Sequence, residues 1–216
     1  MLTLHYLAGA ASLAPHIVLN ELGVPFQLQR VNRDAGEHKL PPYLALNPNG
    51  LIPVMVDDDL VLYESTAIVL HLVDTHPAAG LAPALGTPQR AHFYKWLVWL
   101  TNTLQATLIH YFYPERMVDT GNSAGAAQIK AHAQARAQVC LAQIDDHLAA
   151  HGGAWLLGDD YSAADACAFM LCRWTRGFSD QPARDFPHIA AYLQRMLARD
   201  AVQRAFNAEG LQPPWV

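Results

Sequence analysis

Chemistry concentrates first at Asn47-Pro48-Asn49-Gly50-Leu51-Ile52-Pro53-Val54, followed ten residues later by Tyr63-Glu64-Ser65-Thr66. Turn residues run there into the β-branched segment Val54 to Val56, and Pro53 at the junction has no N–H to give a sheet ladder. An X-Pro bond in that position predicts a cis peptide at Ile52-Pro53, which turns a backbone edge outward. Such an edge suits a peptide-like ligand. Glu64-Ser65 precede an apolar helical pattern, so their amides sit at a helix start, where a carboxylate is favoured. An ordinary acidic first turn explains the same pair with no ligand.

The elements that must hold these residues are legible by period. Leu2 to Leu7 is β-favouring, Leu13 to Leu22 is helical and closed by Gly23, and Phe26 to Val31 alternates with period two. A polar loop from Asn32 to Leu40 leads to Pro41-Pro42, which opens a short helix. Val54 to Val56 and Leu60 to Leu62 form a hairpin around Asp57-Asp58-Asp59, and Glu64 to Thr75 is again helical. The order β-α-β-α-β-β-α predicts a small mixed sheet covered by helices over residues 1–76.

Residues 77–87 are rich in Pro, Gly and Ala without periodicity and read as a linker. Everything beyond, residues 88–216, reads as helical. Phe93, Trp96, Leu97, Leu100, Leu104, Leu108 and Tyr111 share one face, and Pro114 stops that helix. A second long pattern runs from Ala124 to Ala150 before Gly152-Gly153. Ser162-Ala163-Ala164-Asp165 has capping-box spacing ahead of the apolar run Ala166 to Leu171, and a last helix spans Ile189 to Arg199 with a shorter one after it.

Composition bounds the partners. The chain has 216 residues, 52% of them hydrophobic and 15% charged, enough for a substantial core. Its 14 Lys+Arg against 19 Asp+Glu give a net charge of -5 and no basic stripe for nucleic acid. Three unpaired-looking cysteines, Cys140, Cys167 and Cys172, predict reduced thiols and a cytoplasmic setting. Neither a signal peptide nor a membrane span is evident in the sequence. His147 and His151 share a helix face at four-residue spacing, but no third ligand accompanies them, and no metal is expected. No P-loop, dinucleotide fingerprint or nucleophile elbow occurs.

The two opening motifs and the Gly158-Asp159-Asp160-Tyr161-Ser162-Ala163-Ala164-Asp165 box, in this order, resemble the cytosolic glutathione transferase family over essentially the whole chain. Tyr6-Leu7-Ala8-Gly9-Ala10-Ala11-Ser12-Leu13-Ala14-Pro15-His16 is most similar to the opening of the bacterial beta-type branch. The resemblance implies a thioredoxin-like N-terminal domain plus an all-α C-terminal domain, glutathione as co-substrate, conjugation to a small apolar electrophile for detoxification, and a homodimer. Beta-type members carry a cysteine where this chain has Ala11, so a mixed disulfide at that position is not expected.

The resemblance also implies roles by residue. Ser12, expected at the helix N-cap, would donate its hydroxyl to the glutathione thiolate; the competing readings are a plain cap for Ser12 and Tyr6 as the donor, with Tyr6 otherwise core. Lowering a thiol pKa from ~8.5 by about two units takes roughly 2.7 kcal/mol, within reach of one charge-assisted hydrogen bond and a helix N-terminus. Ile52 before Pro53 would pair with the cysteinyl backbone, Glu64 and Ser65 would receive the γ-glutamyl carboxylate, and His38 or Lys39 the glycine carboxylate. Gln105, His110, Tyr111 and Tyr113, on an unusually aromatic helix end, would line the electrophile pocket or simply pack. The alternatives are a non-catalytic glutathione or hydrophobic-ligand binder, an adaptor, or a glutathione-dependent isomerase or dehalogenase.

Overall fold

A computed structural model describes residues 1–216. The first part is a thioredoxin-like unit: β1 (Thr3–Tyr6), α1 (Leu13–Leu22), β2 (Gln27–Arg30), α2 (Pro41–Leu44), β3 (Val54–Asp57), β4 (Leu60–Tyr63) and α3 (Ser65–Thr75). Its four strands lie in the order β2-β1-β3-β4, with β1 parallel to β2 and antiparallel to β3. Leu4 pairs with Met55 in the sheet centre, and both are fully buried. Ile17, Val18, Ile68 and Val69 join them in the same apolar cluster from α1 and α3.

The second part is helical: α4 (Pro88–Trp99), a π-helical stretch Leu100–Gln105, α5 (Ala106–Phe112), α6 (Ser123–His151), α7 (Ala163–Trp174), α8 (Pro187–Leu197) and α9 (Asp200–Glu209). The single apolar face expected from Phe93 to Tyr111 is therefore carried by two α-helices joined through a π segment, a distortion that often accompanies functional sites. No helix is long and apolar enough to cross a membrane.

The capping box forms. Asp165 Oδ2 accepts from Ser162 N at 2.8 Å and Oδ1 from Leu156 N at 2.9 Å, so this buried carboxylate secures both the start of α7 and the loop before it. One apolar cluster runs through both halves of the chain and includes Leu13 of α1 and Phe169 of α7. Polar ties reinforce that joint: Arg90 of α4 pairs with Asp74 of α3, and Arg199 binds Glu21 of α1 through two hydrogen bonds of 2.6 and 3.0 Å. Trp96 is 3% exposed; the exposed apolar residues of α4 are Tyr94 and Val98.

Candidate functional site

A cavity of about 600 Å³ opens between the thioredoxin-like unit and the helical part. Three backbone segments of the first unit face it: the β1–α1 loop, the loop before β3, and the start of α3. Ile109, Phe112, Tyr113 and Trp174 wall it from the helical side.

The loop before β3 is shaped to leave one peptide edge unused. Ile52-Pro53 is cis, as expected from the motif. The Leu51 carbonyl accepts from Tyr43 Oη at 2.9 Å and from Asn47 Nδ2 at 2.8 Å, while Asn47 Oδ1 takes the Asn49 N–H at 3.0 Å. Gly50 sits at φ +60°, and a Cβ there would lie 2.9 Å from the His38 carbonyl, so only glycine fits without a shift. With its neighbours satisfied, Ile52 keeps both its N–H and its C=O without a protein partner.

The β1–α1 loop is held from behind by residues far away in sequence. The Gly9 N–H donates to Glu209 Oε2 at 2.7 Å, and the Gly9 carbonyl accepts from Trp174 Nε1 at 3.0 Å. Glu209 Oε1 in turn bonds His16 Nδ1 at 2.8 Å, with both side chains at 1% exposure or less. Gly9 has φ +66°, and a Cβ would stand 3.0 Å from the buried Arg173 guanidinium. Burial pushes the Arg173 pKa down to about 10.

Ser12 occupies the N-cap position of α1, but its hydroxyl is not the free donor expected. Its side chain is fully buried, and its hydroxyl donates to the Leu7 carbonyl at 3.0 Å while accepting the Leu7 N–H at 3.2 Å. It makes no side-chain cap to α1, and its hydroxyl hydrogen is committed to closing the loop. Tyr6 points into packing beside His16, with ring centroids 6.4 Å apart, and does not line the cavity. Ala11 does line it, and the amides of Ala11 and Ser12, at the N-terminal end of α1, donate to no protein group.

At α3 the first intrahelical bond is Ile68 N to Glu64 O at 3.0 Å, so the amides of Ser65 and Thr66 lie ahead of the ladder. The Ser65 hydroxyl donates to the Ala11 carbonyl at 2.9 Å and is not the free donor expected. Glu64 is exposed at φ +74°, a conformation costing about 1–3 kcal/mol for a non-glycine residue and one found near ligand sites. Thr66 reaches Thr101 of the π segment at 2.8 Å and so ties α3 to the opposite wall.

His38, Lys39 and Pro53 also line the cavity. His38 Nδ1 is buried with no partner, and burial, then Lys39 and Arg33, hold its pKa below the ordinary value. Of the four expected electrophile-pocket residues, Gln105 and Tyr113 line the cavity. His110 faces solvent instead, and Tyr111 packs on Phe178 at 4.5 Å under Lys130. Ile109, Phe112 and Arg116 of the same aromatic helix end line the cavity as well, while Arg33, Trp174 and Arg176 were not expected there. The aromatic helix end was the one local signal for Phe112; Trp174 and Arg176 reach the cavity only through the path of α7.

No thiol of the chain reaches this cavity. Cys140, Cys167 and Cys172 are buried, and burial drives the last two up to about 12. His147 and His151 do meet edge to face, with centroids 4.6 Å apart, but His147 Nε2 donates to the Leu156 carbonyl and His151 Nδ1 accepts from Gly153 N.

Residues 10–75 match the family "Glutathione S-transferase, N-terminal domain" and residues 100–200 "Glutathione S-transferase, C-terminal domain". The chain is 35% identical over 205 residues to glutathione S-transferase GST-4.5 of Xanthomonas campestris pv. campestris, covering 94% of this chain and 96% of that one. The crystal structure of a glutathione transferase homologue from Sulfitobacter with bound glutathione superposes with a TM-score of 0.87 at 29% identity, over 98% of this chain and 99% of that one. The bacterial beta class glutathione S-transferase of Sphingomonas chungbukensis gives 0.82 at 29% identity, over 97% and 100%. The chain belongs to the glutathione S-transferase family.

Proposed function

We propose that this protein binds glutathione across residues 1–76, stabilises its thiolate and conjugates it to a small electrophile seated against the helical part, residues 88–216. The observation that carries this is the convergence of unused backbone groups on one cavity: both polar groups of Ile52, the Ala11 amide and the leading amides of α3. A γ-linked tripeptide offers a matching group to each. Its cysteinyl backbone pairs with Ile52. The γ-glutamyl carboxylate goes to the amides of Ser65 and Thr66, and its ammonium to Glu64. The glycine carboxylate goes to His38 and Lys39, and the sulfur rests at Ala11.

In this arrangement the thiolate is held by the Ala11 N–H and the positive end of α1, with Ser12 keeping the loop closed from behind. A beta-type cysteine position filled by Ala11 leaves the sulfur chemistry to glutathione itself. The thiol proton leaves to solvent, the sulfur attacks the electrophile, and no covalent enzyme intermediate forms. Gln105 and Tyr113 orient the second substrate, whose apolar body lies on Ile109 and Phe112. The protein acts as a homodimer.

The placement of Ser12 favours a second reading, a glutathione-binding protein without turnover, because its hydroxyl hydrogen is committed to the Leu7 carbonyl. Calorimetric titration with glutathione, followed by mass spectrometry of S-conjugates formed with 1-chloro-2,4-dinitrobenzene, separates them. Binding with enzyme-dependent conjugate supports the transferase. Binding without conjugate supports the second reading, and absence of binding removes both.

A further inference from the structure

The charge of the cavity runs against that of the chain. The protein carries a net charge of -5, yet the cavity is lined by Arg33, His38, Lys39, Arg116 and Arg176 against the single carboxylate of Glu64. The glutathione assignment above, on which this inference rests, employs Glu64, His38 and Lys39. The arginines are left over: Arg33 and Arg116 meet at the Tyr113 ring, and Arg176 follows Trp174.

Their geometry is that of a built subsite. Arg33 Nη1 donates to Tyr113 Oη at 2.7 Å, which fixes the phenol as a shelf, and Arg116 lies over the same ring with its guanidinium carbon 4.0 Å from the centroid. Arg176 follows α7 directly. Its backbone carbonyl is held by Arg184 Nη1 at 3.1 Å, and its own Nη1 is tethered to the Arg173 carbonyl at 3.1 Å. That tether leaves the rest of a half-buried guanidinium without a protein carboxylate. Burial lowers its pKa, and no carboxylate acts on it to raise it again. Beside it, Trp174 and Phe112 meet edge to face with centroids 6.1 Å apart. An aromatic wall flanked by unpaired guanidinium groups is complementary to an aromatic ring that carries an acid.

We propose that the second substrate is an anionic aromatic electrophile, its ring against Phe112 and Trp174 and its carboxylate on Arg176, with Arg116 at the rim. A neutral apolar electrophile would leave these guanidinium groups unpaired and partly desolvated when it closed the cavity. An acid pairs with them and is drawn to a positive cleft on a negative protein. The acid group takes no part in the bond changes. For a chloroarene, the glutathione sulfur forms the C–S bond, the C–Cl bond breaks, chloride departs with the electron pair, and the thiol proton has already gone to solvent.

The test compares 4-chloro-3,5-dinitrobenzoate with its methyl ester, each kcat/KM divided by the uncatalysed rate with free glutathione. The expected acid-to-ester ratio is about tenfold or more at low ionic strength, collapsing by about tenfold in Arg176→Gln and falling with added salt. Calorimetric affinities of the two corresponding glutathione conjugates give the same ratio without turnover, and Arg116→Gln serves if Arg176→Gln does not fold. A ratio at or below one, or a ratio unmoved in both variants, overturns the proposal while glutathione binding stands. Failure to bind glutathione and both conjugates instead defeats the glutathione reading itself, and this inference with it.

Discussion

Ser65 Oγ donates to the Ala11 carbonyl at 2.9 Å, joining the start of α3 to the loop that opens α1. The hydrogen bond spans 54 residues and fixes the spacing between the two amide clusters that face the cavity. A ligand gripped at both ends depends on that spacing. Ser65→Ala is expected to weaken glutathione about three- to tenfold, from the loss of roughly 1 kcal/mol of hydrogen bonding, with the fold retained. Calorimetry together with circular dichroism checks it; an unchanged Kd would show that the two clusters are held apart by other contacts.

Ser12→Ala separates structure from chemistry. The hydroxyl is the one partner of the Leu7 N–H in a part-buried turn whose carbonyl also accepts from Ala10 N, so its removal is expected to cost about 1–2 kcal/mol in urea unfolding. The thiol pKa of bound glutathione, read from thiolate absorbance, is expected to move by less than about half a unit. A shift of more than a unit with stability intact would return the hydroxyl to the sulfur.

Glu209 reaches the site without touching it. One oxygen holds the Gly9 N–H and the other His16. Glu209→Gln retains the volume and keeps an oxygen for the Gly9 N–H, but its N–H is met by His16 only as the tautomer whose Nδ1 accepts, so a charge-assisted bond becomes a neutral one at a cost of roughly 1–2 kcal/mol. The expected outcome is lower stability with a raised KM for glutathione and a kcat changed less than KM. Gly9→Ala, with φ +66° and Arg173 behind it, should show the same pattern.

His38 carries a pH dependence whose sign is fixed. Its pKa is lowered in the folded protein by burial, then by Lys39 and Arg33, so the folded state holds this proton less tightly than the unfolded chain. Its contribution to stability is complete above about pH 6.5 and is lost as pH falls through the lowered value. A bound glycine carboxylate raises that pKa again, so binding takes up a proton and glutathione affinity rises as pH falls below about 6.5. Calorimetry in buffers of different ionisation enthalpy measures the uptake, and His38→Gln should abolish it.

How far the sequence led depends on the range of the interaction. The Ile52-Pro53 edge, the helix start at Ser65 and the capping box at Ser162 and Asp165 are written in neighbouring residues, and all three were legible. Ser12 does stand at the N-cap position that its residue type suggests, but its hydroxyl folds back to Leu7, a contact that cap chemistry does not announce. The π stretch at Leu100–Gln105 keeps the same apolar spacing as an α-helix on its buried side, so periodicity does not reveal it. Trp174, Arg176 and Glu209 come to the site through tertiary packing across 165 to 200 residues, where no local pattern points.

The most direct measurement is a crystal structure of the complex with glutathione. The cysteinyl backbone is expected to pair with both polar groups of Ile52, the γ-glutamyl carboxylate to sit on the amides of Ser65 and Thr66, and the sulfur to rest at the Ala11 N–H. A tripeptide that leaves the Ile52 edge empty, or a sulfur resting on Tyr6 or on a freed Ser12 hydroxyl, would contradict this arrangement.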